Sequence, residues 1–413
     1  MRQRYDTYKD SGVQWLGEIP GHWGCVPFKR VATVKSNLVH PNDYLELPQI
    51  SPDCIEKNSG RLLSWKTVAD SNVESDNHLF YKGHIIYSKI RPLLNKVIIA
   101  PFDGLCSADM YPIETTTNTK YMQYYMLSNL FLSEVRNVTR DRVKMPKINR
   151  EELGQIRIIV PPLSEQRSIV SFLDAKCGKI DEWVTKKQKE VEHLQELKQR
   201  VIADAVTRGL NPHVKMKATN IPWINEIPEH WEIKRSKYLL KLLTESTKRI
   251  RKIGLENIES NTGKFILTKT IFDGDGVDFN CGDILYGKLR PYLNKVWLAE
   301  FDGNAVGDFY VYRAINGYFN SFAKYLLMSS CFVGISNAST YGAKMPRVSS
   351  QFIHSLHFPV PPLSEQKQIV SYLDAKTSKI DKLIANITKE IECIKEYKQR
   401  LISDVVTGQI KVC

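Results

Sequence analysis

Two ten-residue stretches gather cations, an amide and a proline at matched spacing: Tyr87-Ser88-Lys89-Ile90-Arg91-Pro92-Leu93-Leu94-Asn95-Lys96 and Tyr286-Gly287-Lys288-Leu289-Arg290-Pro291-Tyr292-Leu293-Asn294-Lys295. In a strand followed by a turn, Lys89, Arg91 and Lys96 with Asn95, and Lys288, Arg290 and Lys295 with Asn294, suit contacts to backbone phosphates, or to base edges through Arg and Asn. The same residues also suit a plain turn, in which proline fixes the bend, asparagine caps it and the cations are solvated. A second pair of basic loops follows in each half. Arg140, Arg142, Lys144 and Lys147 surround Met145-Pro146, and Tyr341, Lys344 and Arg347 surround Met345-Pro346. Cations flanking a proline-fixed loop suit DNA docking, with a solvated loop as the alternative.

Residues for bond-making chemistry are missing where an enzyme needs them. There is no Gly-rich phosphate loop ending in Gly-Lys-Ser/Thr and no Gly-x-Gly cofactor loop between a strand and a helix. Neither Pro-Pro pair is followed by an aromatic, as an amino-methyltransferase requires. Glu196-Leu197-Lys198 and Glu396-Tyr397-Lys398 match the Glu-x-Lys of a metal-dependent nuclease, but residues two apart on a helix do not face each other, so both read as solvated faces. Asp273-Gly274-Asp275-Gly276-Val277-Asp278 resembles the start of a calcium loop without the acid expected at its twelfth position, and reads as a turn. His354 and His357 have no echo in the first half and read as structural.

The elements that position these loops occur twice. Val160-Pro161-Pro162-Leu163-Ser164-Glu165-Gln166 returns 200 residues later as Val360-Pro361-Pro362-Leu363-Ser364-Glu365-Gln366, and Lys144-Met145-Pro146 returns as Lys344-Met345-Pro346. Solenoid repeats run to about 20–50 residues, so this period implies two whole domains of one kind. Each half opens with a tryptophan-bounded phrase, Trp15-Leu16-Gly17-Glu18-Ile19-Pro20-Gly21-His22-Trp23 or Trp223-Ile224-Asn225-Glu226-Ile227-Pro228-Glu229-His230-Trp231. A mixed segment follows. Ile85-Ile86-Tyr87, Val97-Ile98-Ile99-Ala100 and their copies predict short strands, and clustered apolar residues predict helices over 120–132 and 318–329. The stretches 35–76 and 243–275 barely align, as two readers of different sequences would require; unconstrained loops would also diverge.

Each half closes on an amphipathic helix. Pro161-Pro162 blocks a helix upstream, Ser164 suits an N-cap, and Glu165 suits the first turn. Apolar residues step by three and four through Ile169, Leu173, Ile180, Val184, Val191, Leu194, Val201 and Ala205, and the second copy does the same from Ile369 to Val405. About 40 residues span roughly 60 Å at 1.5 Å per residue. A helix this long with one apolar stripe calls for a partner helix, and the other copy is the obvious one. The fold class expected is α+β: two repeated mixed α/β domains separated by two long helices that pair as a coiled coil.

With 413 residues, 42% of them hydrophobic, the chain is a folded protein of more than one domain. Its net charge of +13 points to a polyanionic partner, most simply nucleic acid. None of the eight cysteines forms a Cys-x-x-Cys pair, and most do not recur between halves; reduced thiols in a cytoplasm are expected. The N-terminus lacks the apolar core of a signal peptide, and no apolar run is long enough to span a bilayer.

The doubled plan resembles the specificity (S) subunit of type I restriction–modification enzymes. The resemblance rests on the opening phrases, the Lys89-Ile90-Arg91-Pro92 turn, and Pro161-Pro162-Leu163-Ser164-Glu165-Gln166 leading into a long helix, with their second copies; it covers essentially the whole chain. It implies target recognition domains over 1–160 and 211–360, each reading one part of a split, asymmetric DNA sequence. It implies antiparallel spacer helices over 161–210 and 361–413 whose length sets the gap. It implies no catalytic residue and no cofactor in this chain: S-adenosylmethionine is expected on adenine-methylating modification subunits, and ATP with Mg2+ on translocating, cutting restriction subunits. Arg140-Asp141-Arg142 differs from Tyr341-Gly342-Ala343, so residue-level contacts in that loop are not fixed by the resemblance. Two other functions are distinguishable by experiment: a self-contained nuclease or methyltransferase, and a protein-bridging scaffold.

Overall fold

A computed structural model describes residues 4–13, 16–140, 144–247 and 249–412. Trp15 and Arg142 lie outside the described residues. The chain divides into two compact units, Met1–Lys187 with Lys389–Cys413, and Gln188–Thr388. Each unit holds one head, the start of one long helix and the end of the other. The boundary therefore cuts both long helices, Leu163–Arg208 and Leu363–Val406, where the sequence suggested heads and helices as separate domains.

In the first unit a four-stranded antiparallel sheet runs Val97–Ile99, Ile85–Ser88, Met110–Thr115, Ala32–Val34. A five-stranded sheet runs Leu38–Val39, Asn77–Phe80, Gly104–Cys106, Pro48–Ile50, Lys66–Thr67, with Gly104–Cys106 parallel to Pro48–Ile50. Gly24–Pro27 pairs with Arg157–Val160, so the last strand of the head lies on one of its first. The second unit repeats the plan: Leu240–Leu243, Phe309–Ala314, Ile284–Gly287, Val296–Leu298 in one sheet, and Lys252–Ile253, Gly303–Val306, Gly276–Phe279 in the other. Glu232–Arg235 pairs with His357–Val360. The short apolar runs are thus strands, because their side chains are buried on both faces.

The helix expected over 120–132 is two helices, Thr119–Leu127 and Asn129–Thr139. Ser128 separates them in an extended conformation; its hydroxyl donates to the Tyr125 carbonyl and accepts from the Phe131 amide. Ser329 does the same between Asn320–Met328 and Ser330–Ala338. In the first head such a serine, satisfying backbone groups on both sides, breaks a helix which apolar spacing alone predicts as continuous; in the second the expected helix over 318–329 ends at the equivalent serine.

The repeated Pro-Pro-Leu-Ser-Glu-Gln phrase fastens each long helix to its head. The helix begins at Leu163, so Ser164 lies in its first turn rather than at the cap. The Gln166 amide donates to the Pro161 carbonyl and accepts from the Asn118 amide, both at 2.8 Å. Gln366 repeats this with Pro361 and Phe319 at 2.9 and 2.8 Å. The preceding residue is also engaged: the Glu165 carboxylate accepts from Trp23 Nε1 and the Tyr5 hydroxyl at 3.0 Å and meets His22 Nε2. Glu365 holds Trp231 and His230 at 3.0 and 2.8 Å. The opening phrases recur in the sequence because their aromatic donors close on this carboxylate. Burial alone would raise the Glu165 pKa, but the bonds from His22, Trp23 and Tyr5 outweigh it and hold it below the ordinary value.

Leu401, Ile402, Val405 and Val406 from the end of the second helix join Ile169, Leu173 and Cys177 from the start of the first in the core of unit one. Ile202, Ala205 and Val206 join Ile369, Val370 and Leu373 in the core of unit two. In each unit the start of one helix packs with the end of the other, which makes the pair antiparallel.

The stretches that barely align in sequence share one turn. Asn58 and Asn261 take φ of 57° and 62°, and Gly60 and Gly263 take 75° and 67°. Ile55 bridges Leu62 as Ile258 bridges Phe265, and the Asn58 and Asn261 amides donate to the carbonyls of Asn95 and Asn294. Divergence lies on both sides of this turn: among the described residues, the first head alone has the strand Leu38–Val39 before it and the strand Lys66–Thr67 after it. The described cysteines are free thiols, and no described helix is long and apolar enough to cross a membrane.

Candidate nucleic-acid interface

The structure joins the two basic loops of each head into one surface. The Arg91 amide donates to the Pro146 carbonyl at 2.8 Å, and the Ile148 amide to the Lys89 carbonyl at 3.0 Å. The second head repeats both bonds, Arg290 to Pro346 at 2.7 Å and Val348 to Lys288 at 3.1 Å. Arg91 and Arg290 sit in the left-handed region at φ 42° and 50°, where the following prolines begin a short 3-10 turn. Both arginine side chains are exposed.

Asn95 and Asn294 are buried, at 0% and 3% exposure. They close the turn in the left-handed conformation, and the Asn294 side chain donates to the Met328 carbonyl at 2.9 Å. Lys96 and Lys295 turn inward to the carbonyls of Pro52 and Leu255, both at 2.7 Å. These four residues build the turn from behind and face away from solvent. The structural reading of the motif holds for them, and the exposed face is left to Lys89, Arg91, Lys288 and Arg290.

The platform beneath is an Asp-x-Tyr segment in each head. The Lys89 ammonium lies 5.3 Å from the centre of the Tyr111 ring and Lys288 lies 5.2 Å from that of Tyr310. Asp109 takes Lys147 at 3.1 Å, and Asp308 takes Arg347 through two bonds of 3.0 Å, with Lys288 at 4.0 Å. Arg150 adds a guanidinium 5.9 Å from Tyr111 in the first head only. Burial lowers the Lys89 pKa; Asp109 opposes this, while Lys147 and Arg150 push the same way. Cations gathered this closely around Lys89 favour an incoming anion.

Arg140 is exposed at the end of Asn129–Thr139, and Lys144 is exposed beyond the undescribed 141–143. Tyr341, 59% exposed, pairs its backbone with Arg347 at 3.0 Å in both directions, and Lys344 is exposed beside it. The sequence reasoning missed Asp109, Tyr111, Arg150, Asp308 and Tyr310. Four of these were within reach, since Asp109-Met110-Tyr111 is echoed by Asp308-Phe309-Tyr310; Arg150 has no echo. Among the described residues no group of three or more His, Cys, Asp or Glu is placed to hold a metal ion.

A family profile described as the type I restriction modification DNA specificity domain matches residues 27–193 and again 228–393. The chain is 38% identical over 190 residues to the type I restriction enzyme EcoDI specificity subunit of Escherichia coli, a match covering 46% of this chain and 43% of that protein. It is 25% identical over 337 residues to the type I restriction enzyme MjaVIII specificity subunit of Methanocaldococcus jannaschii, covering 75% of each. A chain from a solved structure on complex assembly and conformational transition of the type I R-M system superposes with a TM-score of 0.71 at 16% identity, covering 95% of this chain and 99% of that one. At that identity the likeness speaks for the fold.

Proposed function

Because the chain belongs to the type I restriction modification DNA specificity family, we propose that each head reads one part of a split, asymmetric DNA target. In this reading the chain makes and breaks no bonds. The observation that carries the proposal is the pairing, in both heads, of two basic loops over an Asp-x-Tyr platform on otherwise unlike surfaces. Lys89, Arg91, Arg140, Arg142, Lys144 and Lys147 in one head, and Lys288, Arg290, Tyr341, Lys344 and Arg347 in the other, are the residues offered to the duplex. Cations at this density position a protein on phosphates, and base edges in the major groove supply the sequence information.

The long helices act as the spacer between the two parts of the target. Their exposed faces and the opening phrases offer a surface to modification subunits, which carry S-adenosylmethionine, extrude the adenine and methylate it. Restriction subunits carry ATP and Mg2+ and cut. The complex works in the cytoplasm, where its DNA is.

Replacing residues 1–160 by the equivalent head of another such protein tests the modular reading. Methylated adenines are then mapped in cells that carry the chimera with the modification subunits. One part of the recognised sequence is expected to change while the other stays. A change in both parts together defeats the modular reading, and turnover by the purified chain alone with DNA, metal and S-adenosylmethionine defeats the non-catalytic one.

A further inference from the structure

Lys198, which read as solvated in the sequence, is buried, and Lys398, read the same way, is largely covered. Their side chains are 6% and 12% exposed. Each occupies a core slot of a heptad. Cys177, Val184, Val191, Lys198 and Ala205 follow one another at seven-residue steps on the first helix, as Thr377, Ile384, Ile391, Lys398 and Val405 do on the second. The other members of both series are apolar apart from Thr377, whose hydroxyl returns to the Leu373 carbonyl of its own helix.

Each lysine is met by a carboxylate of the other helix. Lys198 Nζ lies 2.7 Å from Asp381 in unit two, and Lys398 Nζ lies 2.7 and 2.8 Å from the two oxygens of Asp181 in unit one. Asp181 precedes Lys198 by seventeen residues, and Asp381 precedes Lys398 by seventeen. Both pairs therefore specify one and the same antiparallel alignment. Asp381 also takes Lys264 at 3.3 Å, from the turn that the two heads share. In unit one the matching turn is held by Gln399, whose amide donates to the Asn58 carbonyl at 3.0 Å.

An ion pair taken out of water contributes little net stability, because desolvation offsets attraction. Its discriminating power is large, because any register that separates the partners leaves a buried charge unpaired. Val184, Val191, Ile384 and Ile391 carry no such information, since aliphatic side chains pack against one another in more than one register. A lone lysine at a core heptad slot is a known device for fixing register in coiled coils.

We infer that the reciprocal pairs Lys198–Asp381 and Lys398–Asp181 set the register of the two long helices, and so make these four residues determinants of the number of base pairs allowed between the two parts of the target. This rests on the DNA-reading function proposed above. The four residues touch no DNA in this scheme; they act by positioning.

The test uses the full chain assembled with its modification subunits, and duplexes carrying both target parts with the native gap or a gap one base pair longer or shorter. The parts are first identified by mapping methylated adenines. In the methionine variant, Lys198→Met with Asp381→Leu and Lys398→Met with Asp181→Leu, both partners of each pair are replaced, so the methionines fill the heptad slots and no carboxylate is left unpaired. Thermal stability is expected to be kept or raised, while discrimination against the altered gaps falls about ten-fold; a pair that served stability alone would give the opposite pattern. A second variant exchanges the charges, Lys198→Asp with Asp381→Lys and Lys398→Asp with Asp181→Lys, carries Lys264→Glu so that the lysine introduced at position 381 keeps an opposite charge beside it, and is expected to restore native discrimination. Unchanged gap preference in the methionine variant, or failure of the exchanged pairs to restore it, overturns the inference. A wild-type complex that binds all duplexes alike instead overturns the DNA-reading function on which it rests.

Discussion

The Arg91 amide donates to the Pro146 carbonyl across 2.8 Å, and this hydrogen bond ties together two loops that lie far apart in the sequence. It makes one surface out of two basic motifs that look independent when read along the chain. Because the bond uses the backbone of Arg91, its guanidinium stays available to a ligand.

Arg91→Ala is therefore expected to leave stability unchanged and to weaken binding of the target by about 1–3 kcal/mol. Arg290→Ala should do the same through the other half of the target. Titration of labelled duplex at two salt concentrations checks both, since a lost phosphate contact lowers the salt slope by about one.

Asp308 restrains Arg347 and Lys288 within their own head. Asp308→Asn releases both cations from an anion that competes with phosphate. Affinity for duplexes lacking the target should rise, and its salt dependence should steepen. Competition by unrelated duplex measures the effect.

Glu165 contributes a pH-dependent part of the stability. Its pKa in the folded chain lies below the ordinary carboxylate value of 4.5. The contribution is thus complete above that value and is lost as pH falls through the lower folded value. Glu165→Gln is expected to destabilise the chain at pH 7 by about 1–3 kcal/mol, in the range of hydrogen bonds to charged groups. The gap to the unaltered protein should narrow below pH 4.5. Thermal melts of both proteins across that range decide it.

Gly263 combines φ of 67° with a close approach, since a Cβ there would sit 2.9 Å from the Val296 carbonyl oxygen. Gly263→Ala should cost about 1–3 kcal/mol. The loss should fall on the second unit, so binding of the first part of the target survives. Melting temperature, read beside half-target binding, separates the two effects.

The doubled plan, the strands around Ile85 and Val97 and the two long helices were legible in the sequence, because apolar periodicity and an exact echo record them directly. The break at Ser128 was not, since a side chain satisfying backbone groups competes with spacing, nor was the helix Ser330–Ala338 that follows Ser329. The inward turn of Asn95, Lys96, Asn294 and Lys295 was also hidden: composition shows cations and amides but not the carbonyls waiting behind them. Lys198 and Lys398 misled for a related reason, as their carboxylate partners lie on the other helix.

The second unit is one unbroken segment, Gln188–Thr388, whereas the first needs Lys389–Cys413 to be complete. Leu401, Ile402, Val405 and Val406 belong to the core that also holds Tyr121 and Ile169. On the ribosome, the half that is made later can finish folding sooner, while the half made earlier waits with that apolar surface uncovered until residues 401–406 emerge. Nascent chains stalled before residue 401 should therefore be the ones that most need a chaperone.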